Sequence, residues 1–411
     1  MLQAVHFAKE YVQAKVSLIG GFDMQYDFDT CIPRKNTHSV KYDFASQYGK
    51  PENTIPLWIA DMDFKVPPCV FSALENHVHH GIFGYSDTDD KYFDVLQSWF
   101  SRRFNWQVQP DWLVKVLGVV TLIHISIRAL TKPGDAVIIQ QPVYPPFSSA
   151  VNSTNRKLVV NELLYTNNYY TIDFEDFEKK IVDNHVKLFI LCSPHNPVGR
   201  VWKKEELLKL GDICLRHGVK VISDELHADI VYLGHKHHVF ANLSPELSDI
   251  SITCTAPSKT FNLAGLQLSN NFISNPHIRK AIIKEYYASG LSQLNVMGIV
   301  AAEAAYRDGE AWLEELKSYL HCNVNYLKDF LARKLPSIKL VEPEGTYLMW
   351  LDFRELGFSP LELEKFMLEK AELWLNDGPS FGAGGEGFQR MNIACPRATL
   401  EKALERLAQA M

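Results

Sequence analysis

From about Leu113 onward the chain alternates between two hydrophobic periods, and this alternation constrains the fold more than any single motif. LVKVLGVV reads as a strand, TLIHISIRALTKPG as a helix stopped by Pro133 and Gly134, and DAVIIQQPVY as a second strand. The pattern then recurs. VKLFILCS, from Val186 to Ser193, is a continuous apolar run of buried-strand length; WKKEELLKLGDICLRHG is an amphipathic helix closed by Gly218; VKVISDE is the next strand. SITCTAPS and LQLSNNFIS supply two shorter ones. Strands alternating with helices predict an α/β fold with a mostly parallel sheet covered on both faces, in which ligands bind beyond the carboxyl ends of the strands. After Leu291 the sequence becomes helix-rich, IKLVEPEGTYLMWLDF then alternates as strands do, Ser359 and Pro360 open a helix, and ATLEKALERLAQAM closes the chain with another. A length of 411 residues exceeds what one core usually serves. The expected division is an N-terminal segment (1–60) joining the small domain, a large domain (61–300) and a C-terminal small domain (301–411).

Composition removes several function classes. The formal charge is -6 and no lysine and arginine run tracks phosphates, so nucleic acid is not an expected partner. No apolar run is long enough to span a bilayer, and the opening MLQAVHFAKEYVQAK mixes apolar and charged residues at helical spacing rather than forming a signal-peptide core. A cytoplasmic protein without a membrane partner is the expectation. The seven cysteines are odd in number, scattered, and without a CxxC pair, which suits reduced thiols. The clusters HVHH (His77, His79, His80) and HKHH (His235, His237, His238) lack the ligand spacing of a zinc helix, so they read as surface histidines and no metal is expected.

The residues just past the strands carry the chemistry. ISDELHAD places Asp224 after an apolar strand, where a carboxylate can pair with a protonated pyridine nitrogen; taken alone, it could equally be a helix cap. SPHNPVG places Asn196 after the preceding strand, where its amide could donate to a phenolate oxygen, although NPVG is also an ordinary turn. PVYPPF mounts Tyr144 between prolines, as a stacking platform or as a packed core residue. In GVVTLIH a helix begins at a glycine, and the free N–H groups around Val119, Val120 and Thr121 could hold a phosphate. APSKTFNLAGLQLS sets Lys259 among apolar residues, where it is either a solvated charge or a reactive amine.

These residues recur in one order, together with WIADMDFKVP, GIFGYS, QQPVYPPF, CSPHNPVGRVW, SDELHADIVY, APSKTFNLAGLQ, PEGTYLMWLDF and GFQRMNIACPR. The sequence resembles the fold type I pyridoxal-phosphate enzymes of the aspartate aminotransferase superfamily, class I/II, and within them the MalY/PatB-type cystathionine β-lyases, from about Tyr26 to the end. The resemblance implies a large domain built on a mostly parallel seven-stranded sheet, a smaller α+β domain, and pyridoxal 5'-phosphate as cofactor. It implies that Lys259 carries the cofactor covalently, Asp224 faces the pyridine nitrogen, Asn196 faces the ring oxygen and Tyr144 stacks on the ring. Val120, Thr121 and Ser258 would hold the phosphate, with Tyr85 reaching across from the partner subunit of a homodimer. Arg390 would grip the substrate carboxylate, with Ala60, Asp61 and Tyr144 on the substrate side.

Two departures from general aminotransferases point to the lyase branch. Eight residues beyond Lys259, where those enzymes usually carry a phosphate-binding arginine, stands Gln267; three beyond Asp224, where a tyrosine usually meets the ring oxygen, stands His227. The implied reaction is α,β-elimination from cystathionine or another S-substituted L-cysteine, giving a thiol, pyruvate and ammonia, with Lys259 as base and Tyr85 beside it. The alternatives are an aminotransferase on the same fold and a regulatory, partner-binding protein on a lyase scaffold.

Overall fold

A computed structural model describes residues 24–411, so the opening helical pattern and its reading lie outside the described residues. Seven strands form the principal sheet: β1 (Leu113–Val116), β2 (Ala136–Gln141), β3 (Lys157–Glu162), β4 (Leu188–Cys192), β5 (Lys220–Asp224), β6 (Ser251–Thr255) and β7 (Ser269–Phe272). Their order is β1-β7-β6-β5-β4-β2-β3. All adjacent pairs are parallel except those of β7, which runs antiparallel to both neighbours.

The central strands read as continuous apolar runs because both of their faces are covered. Ile138, Phe189, Leu191 and Val221 enter one core, under the helices Phe174–Asn184 and Lys204–Arg216. Val137, Ile139, Leu188, Ile190 and Ile222 enter the other, under Val119–Leu130 and Pro276–Ala288. Alternate side chains thus serve opposite faces, as the pleat requires. Each such buried aliphatic contributes about 1.5–3 kcal/mol relative to an exposed one. The strand β3 escapes the sequence reading because it is an edge strand whose polar Lys157 and Glu162 stay exposed.

A second, antiparallel sheet comprises β8 (Lys339–Leu340), β9 (Leu348–Asp352), β10 (Asn376–Asp377) and β11 (Phe388–Asn392), in the order β8-β9-β11-β10. The alternating stretch IKLVEPEGTYLMWLDF thus contains two strands, β8 and β9. Between them Pro343 lacks a donor, and Thr346 has a φ of 65°, which no strand accommodates. The helix Pro360–Lys365 opens as expected, with Ser359 and Glu362 forming a reciprocal cap. Near the start of the described chain, Ile55–Pro56 pairs in parallel with Leu373–Trp374.

All seven cysteines are free, and the described residues contain no helix that could cross a membrane and no cluster of potential metal ligands. One histidine departs from the surface reading. His237 is buried, and its Nε2 lies 2.7 Å from Glu225 Oε2, a carboxylate that also accepts from Ser223 Oγ and Phe240 N–H. Its hydrophilic neighbours in HKHH hid that inward turn.

Candidate active site

The carboxyl ends of β4, β5 and β6 finish level with one another: Cys192 is paired with Asp224, and Asp224 with Cys254. Just past this rung opens a cavity of about 440 Å³. The parallel strands deliver their following loops to one edge of the sheet, and this edge gathers residues far apart in sequence. Of the expected site residues, Lys259, Asp224, Asn196, Tyr144, Val120, Thr121, Ser258, His227, Arg390 and Ala60 all line the cavity, and so does Gln267. Asp61 and Tyr85 do not. The Asp61 carboxylate turns away to accept from Arg34 Nη2 at 2.7 Å, and Tyr85 is 94% exposed.

Lys259 is not the solvated charge its type suggests. It sits in the short helix Pro257–Thr260, and its Nζ donates to the Ala60 carbonyl at 2.7 Å. Burial, reinforced by the Arg390 guanidinium, lowers its pKa to about 8 against the opposing pull of Asp61 and Asp224. Asp224 shows the complementary perturbation. Its carboxylate accepts one backbone hydrogen bond, from Leu226 at 3.3 Å, and burial raises its pKa to about 7. A buried carboxyl so poorly satisfied calls for a cationic N–H partner in the cavity. His227 is held neutral, its pKa lowered to about 3 by burial and then by Lys259 and Arg390. Its Nδ1 is buried without a partner.

Arg390, on β11, donates from Nη2 to Trp58 O at 2.7 Å and to Asn376 Oδ1 at 2.6 Å, and from Nη1 to Asn196 Oδ1 at 3.0 Å. Because a guanidinium only donates, this last bond fixes the Asn196 amide with its oxygen towards Arg390 and leaves Nδ2 free to donate elsewhere. The Arg390 Nε is buried and unpartnered, and burial lowers the pKa of the guanidinium to about 10. The site thus holds a buried cation with spare donor capacity, suited to a carboxylate.

At the opposite end Gly118, with a φ of 101°, turns the chain from β1 into the helix Val119–Leu130. The helix begins two residues before the Thr121 at which the hydrophobic pattern became regular. Its first N–H groups have no intrahelical acceptor, so Val119, Val120 and Thr121 form an anion-seeking end. A planar, phosphorylated pyridine fits this donor set: anion donors at one end, a needy carboxylate and a free amide N–H at its edges, and a half-buried amine within reach. Tyr144 completes the lining and is braced edge-on by Phe147 at 6.0 Å.

Several residues at the site went unnoticed in the sequence because they act through backbone. Asn262, at a φ of 59°, accepts from Met62 N–H and donates to the carbonyls of Met62 and Phe64. Asn392 donates to the carbonyls of Ile59 and Asp61 at 2.7 and 2.6 Å. Tyr347 is fully buried and donates to Ala60 O at 3.1 Å, the same carbonyl that Lys259 uses. A polar residue isolated in an apolar run, as in FNLAG, was the available signal for Asn262.

Residues 52–407 match the family described as aminotransferase class I and II. Over 385 residues the chain is 45% identical to the cystathionine beta-lyase PatB of Bacillus subtilis, covering 94% of this chain and 100% of that one. Among solved structures, the PLP-bound putative aminotransferase from Clostridium difficile superposes with a TM-score of 0.92 at 44% identity, covering 94% of this chain and 100% of the other. The PLP-bound C-S lyase from Staphylococcus hominis gives 0.88 at 35%, covering 95% and 99%. The level strand ends, the perturbed lysine and aspartate, and these likenesses agree: the chain belongs to the aminotransferase class I and II family.

Proposed function

We propose that the protein is a pyridoxal 5'-phosphate-dependent carbon–sulfur β-lyase, cleaving cystathionine or other S-substituted L-cysteines to a thiol, pyruvate and ammonia. The observation that carries this reading is the convergence of a half-buried low-pKa amine, a buried high-pKa carboxyl and a buried guanidinium on one cavity. The names of the Bacillus subtilis and Staphylococcus hominis relatives favour a lyase over the other activities of the fold.

When bound, the cofactor supplies an electron sink that acidifies the Cα–H of an attached amino acid. Lys259 Nζ would hold the cofactor covalently and, once free, would take the Cα proton; a pKa near 8 leaves a working fraction neutral at physiological pH. The Asp224 carboxylate would keep the pyridine nitrogen protonated, and Asn196 Nδ2 would donate to the ring oxygen. Tyr144 would stack against the ring, with the neutral imidazole of His227 also in the lining. Val120, Thr121 and Ser258 would bind the phosphate, and Gln267 stands where an arginine would add charge. Arg390 orients the substrate carboxylate, with Ala60 and Asp61 on the same side. Loss of a thiolate from Cβ then follows removal of the Cα proton.

The same reading includes a cytoplasmic homodimer. Its support is the exposed ridge of Ile82, Phe83 and Tyr85, which offers apolar area to a second copy and could bring Tyr85 to that copy's cavity. It also includes the three-part division at 60 and 300, supported by the pairing of Ile55–Pro56 with Leu373–Trp374; the later boundary falls within the helix Val296–Asp308, which serves as connector. The deciding experiment incubates the purified protein with cystathionine and several S-alkyl cysteines and measures pyruvate and free thiol. Pyruvate is expected without any added 2-oxo acid. Turnover only in the presence of a 2-oxo acid acceptor would identify an aminotransferase instead.

A further inference from the structure

The segment Trp58–Phe64 carries the Ala60 carbonyl to Lys259, and its opposite side is gripped by two cations from the preceding thirty-odd residues of the chain. Lys41 is completely buried, with Nζ 2.8 Å from Asp63 Oδ2 and 3.6 Å from Asp61 Oδ1. Arg34 spans the same two carboxylates: Nη1 meets Asp63 Oδ1 and Nη2 meets Asp61 Oδ2, each at 2.7 Å, and Nη1 also donates to Met62 O at 3.2 Å. Tyr42 donates to Asp63 at 3.1 Å. Burying a lysine is costly unless the charge is paired, and here the two carboxylates supply that pairing. The arrangement has a chemical consequence because Asp61 is one of the charges that act on Lys259.

We infer that Arg34 and Lys41 are positioning residues for Lys259, holding the Asp61 carboxylate and the Ala60 carbonyl at fixed range from its amine. The inference rests on the assignment of Lys259 as the cofactor-bearing lysine. The other groups facing Lys259 are Arg390, Asp224 and the neutral His227, with the Tyr347 hydroxyl sharing the Ala60 carbonyl. In this set Asp61 favours a proton on the Lys259 nitrogen. Arg34 and Lys41 offset that charge, so removing either cation strengthens the hold of Asp61 on the proton.

The test is a visible-absorption pH titration of the holoenzyme, which reads the proton on the Lys259 nitrogen without reference to turnover. Lys41→Met leaves Asp63 paired with Arg34 and Tyr42, and Arg34→Gln leaves both carboxylates near Lys41, so each variant keeps part of the clamp. Both are expected to raise the midpoint by about 0.5–1 pH unit, a roughly 3- to 10-fold gain in proton affinity. Lys41→Arg, which restores the charge, is expected to return the midpoint towards that of the unmodified protein. The kcat for β-elimination should fall in Lys41→Met while KM is maintained. Folded variants with lower thermal stability but unchanged midpoints would overturn the inference and reduce the clamp to a structural tether. A midpoint that moved downward would overturn it as well. If borohydride reduction of the unmodified holoenzyme failed to lock cofactor onto the Lys259 peptide, the functional assignment itself would fall, and this inference with it.

Discussion

The reactive residues are perturbed in opposite senses, and each perturbation makes its own prediction. Asp224 has a folded pKa raised from 3.8 to about 7 by burial, so the folded chain binds a proton that the unfolded chain releases. Stability of the cofactor-free protein is therefore full below about pH 3.8 with respect to this group and declines as the pH rises towards 7. Asp224→Asn should raise cofactor-free stability at pH 8 by about 1–2 kcal/mol, measured by denaturant unfolding, because it removes a buried charge. The same variant should lose activity by about 100-fold or more, since a neutral amide cannot hold the ring nitrogen protonated. Lys259 has its pKa lowered to about 8, so its capture of added cofactor should accelerate with pH and level off above 8 in stopped-flow absorbance; a flat profile from pH 6 to 9 would contradict the perturbation. For Arg390→Lys, a point charge replaces a fork, and kcat/KM should fall about 10- to 100-fold as lost hydrogen bonds to a carboxylate dictate. Asp224, which ends an apolar strand, and Asn196, which follows one by four residues, were candidates on position alone, whereas Lys259 was singled out only through the resemblance, its neighbours leaving it open between a solvated charge and a reactive amine. Asn262, Asn392 and Tyr347, which grip backbone carbonyls, and Lys41, which grips two carboxylates, were not legible in the sequence, because such contacts have no spacing signature; the partner is set by the fold and not by the local pattern.

Among the elements, the junction of β1 with the helix Val119–Leu130 carries the most specific backbone requirement. Gly118 adopts a φ of 101° and a ψ of 156°, a region open only to glycine, although a Cβ there would meet open space. Gly118→Ala should therefore cost about 1–3 kcal/mol from backbone strain alone. It should weaken cofactor binding by misdirecting the N–H groups at Val119 to Thr121, which equilibrium dialysis would register as a higher Kd. The glycine was visible in the sequence as a helix start, whereas its left-handed backbone was not. The converse case is Thr346, a β-branched residue at a φ of 65°, held by Ile230 O accepting from its N–H at 2.8 Å and by Tyr232, which donates to its carbonyl at 2.7 Å. Nothing in PEGTYLMWLDF distinguishes this threonine from a strand residue, so the alternation there overstated the strands. The neighbouring Glu344 is fixed by buried Arg200 at 2.9 Å, and so the turn that delivers Tyr347 to Ala60 is locked from both sides.

At the level of the whole molecule, the proposed dimer is open to a complementation test. Tyr85→Ala and Lys259→Ala are each expected to be nearly inactive as homodimers. If Tyr85 serves the cavity of the partner, a hybrid of the two variants contains one doubly defective site and one intact site, so it should recover about half the activity of the unmodified dimer. No recovery on mixing and refolding would show that Tyr85 serves its own chain or none. The fold class was readable from the repeating strand–helix period, while the second copy entered through resemblance alone; the exposure of Tyr85 has meaning only once another molecule is considered. The strap at Trp58–Asp63 also spans most of the chain's length. Arg390 holds Trp58 O across 332 residues, Asn392 holds Ile59 and Asp61, and Asp63 N–H donates to Ala394 O at 2.9 Å. On the ribosome, therefore, the complete seven-stranded sheet emerges long before the strap can close, and an early-made stretch must wait for nearly the last-made one. A chain released before residue 390 would therefore lack Arg390 and Asn392, the two side chains that tie the strap down from the far end of the sequence.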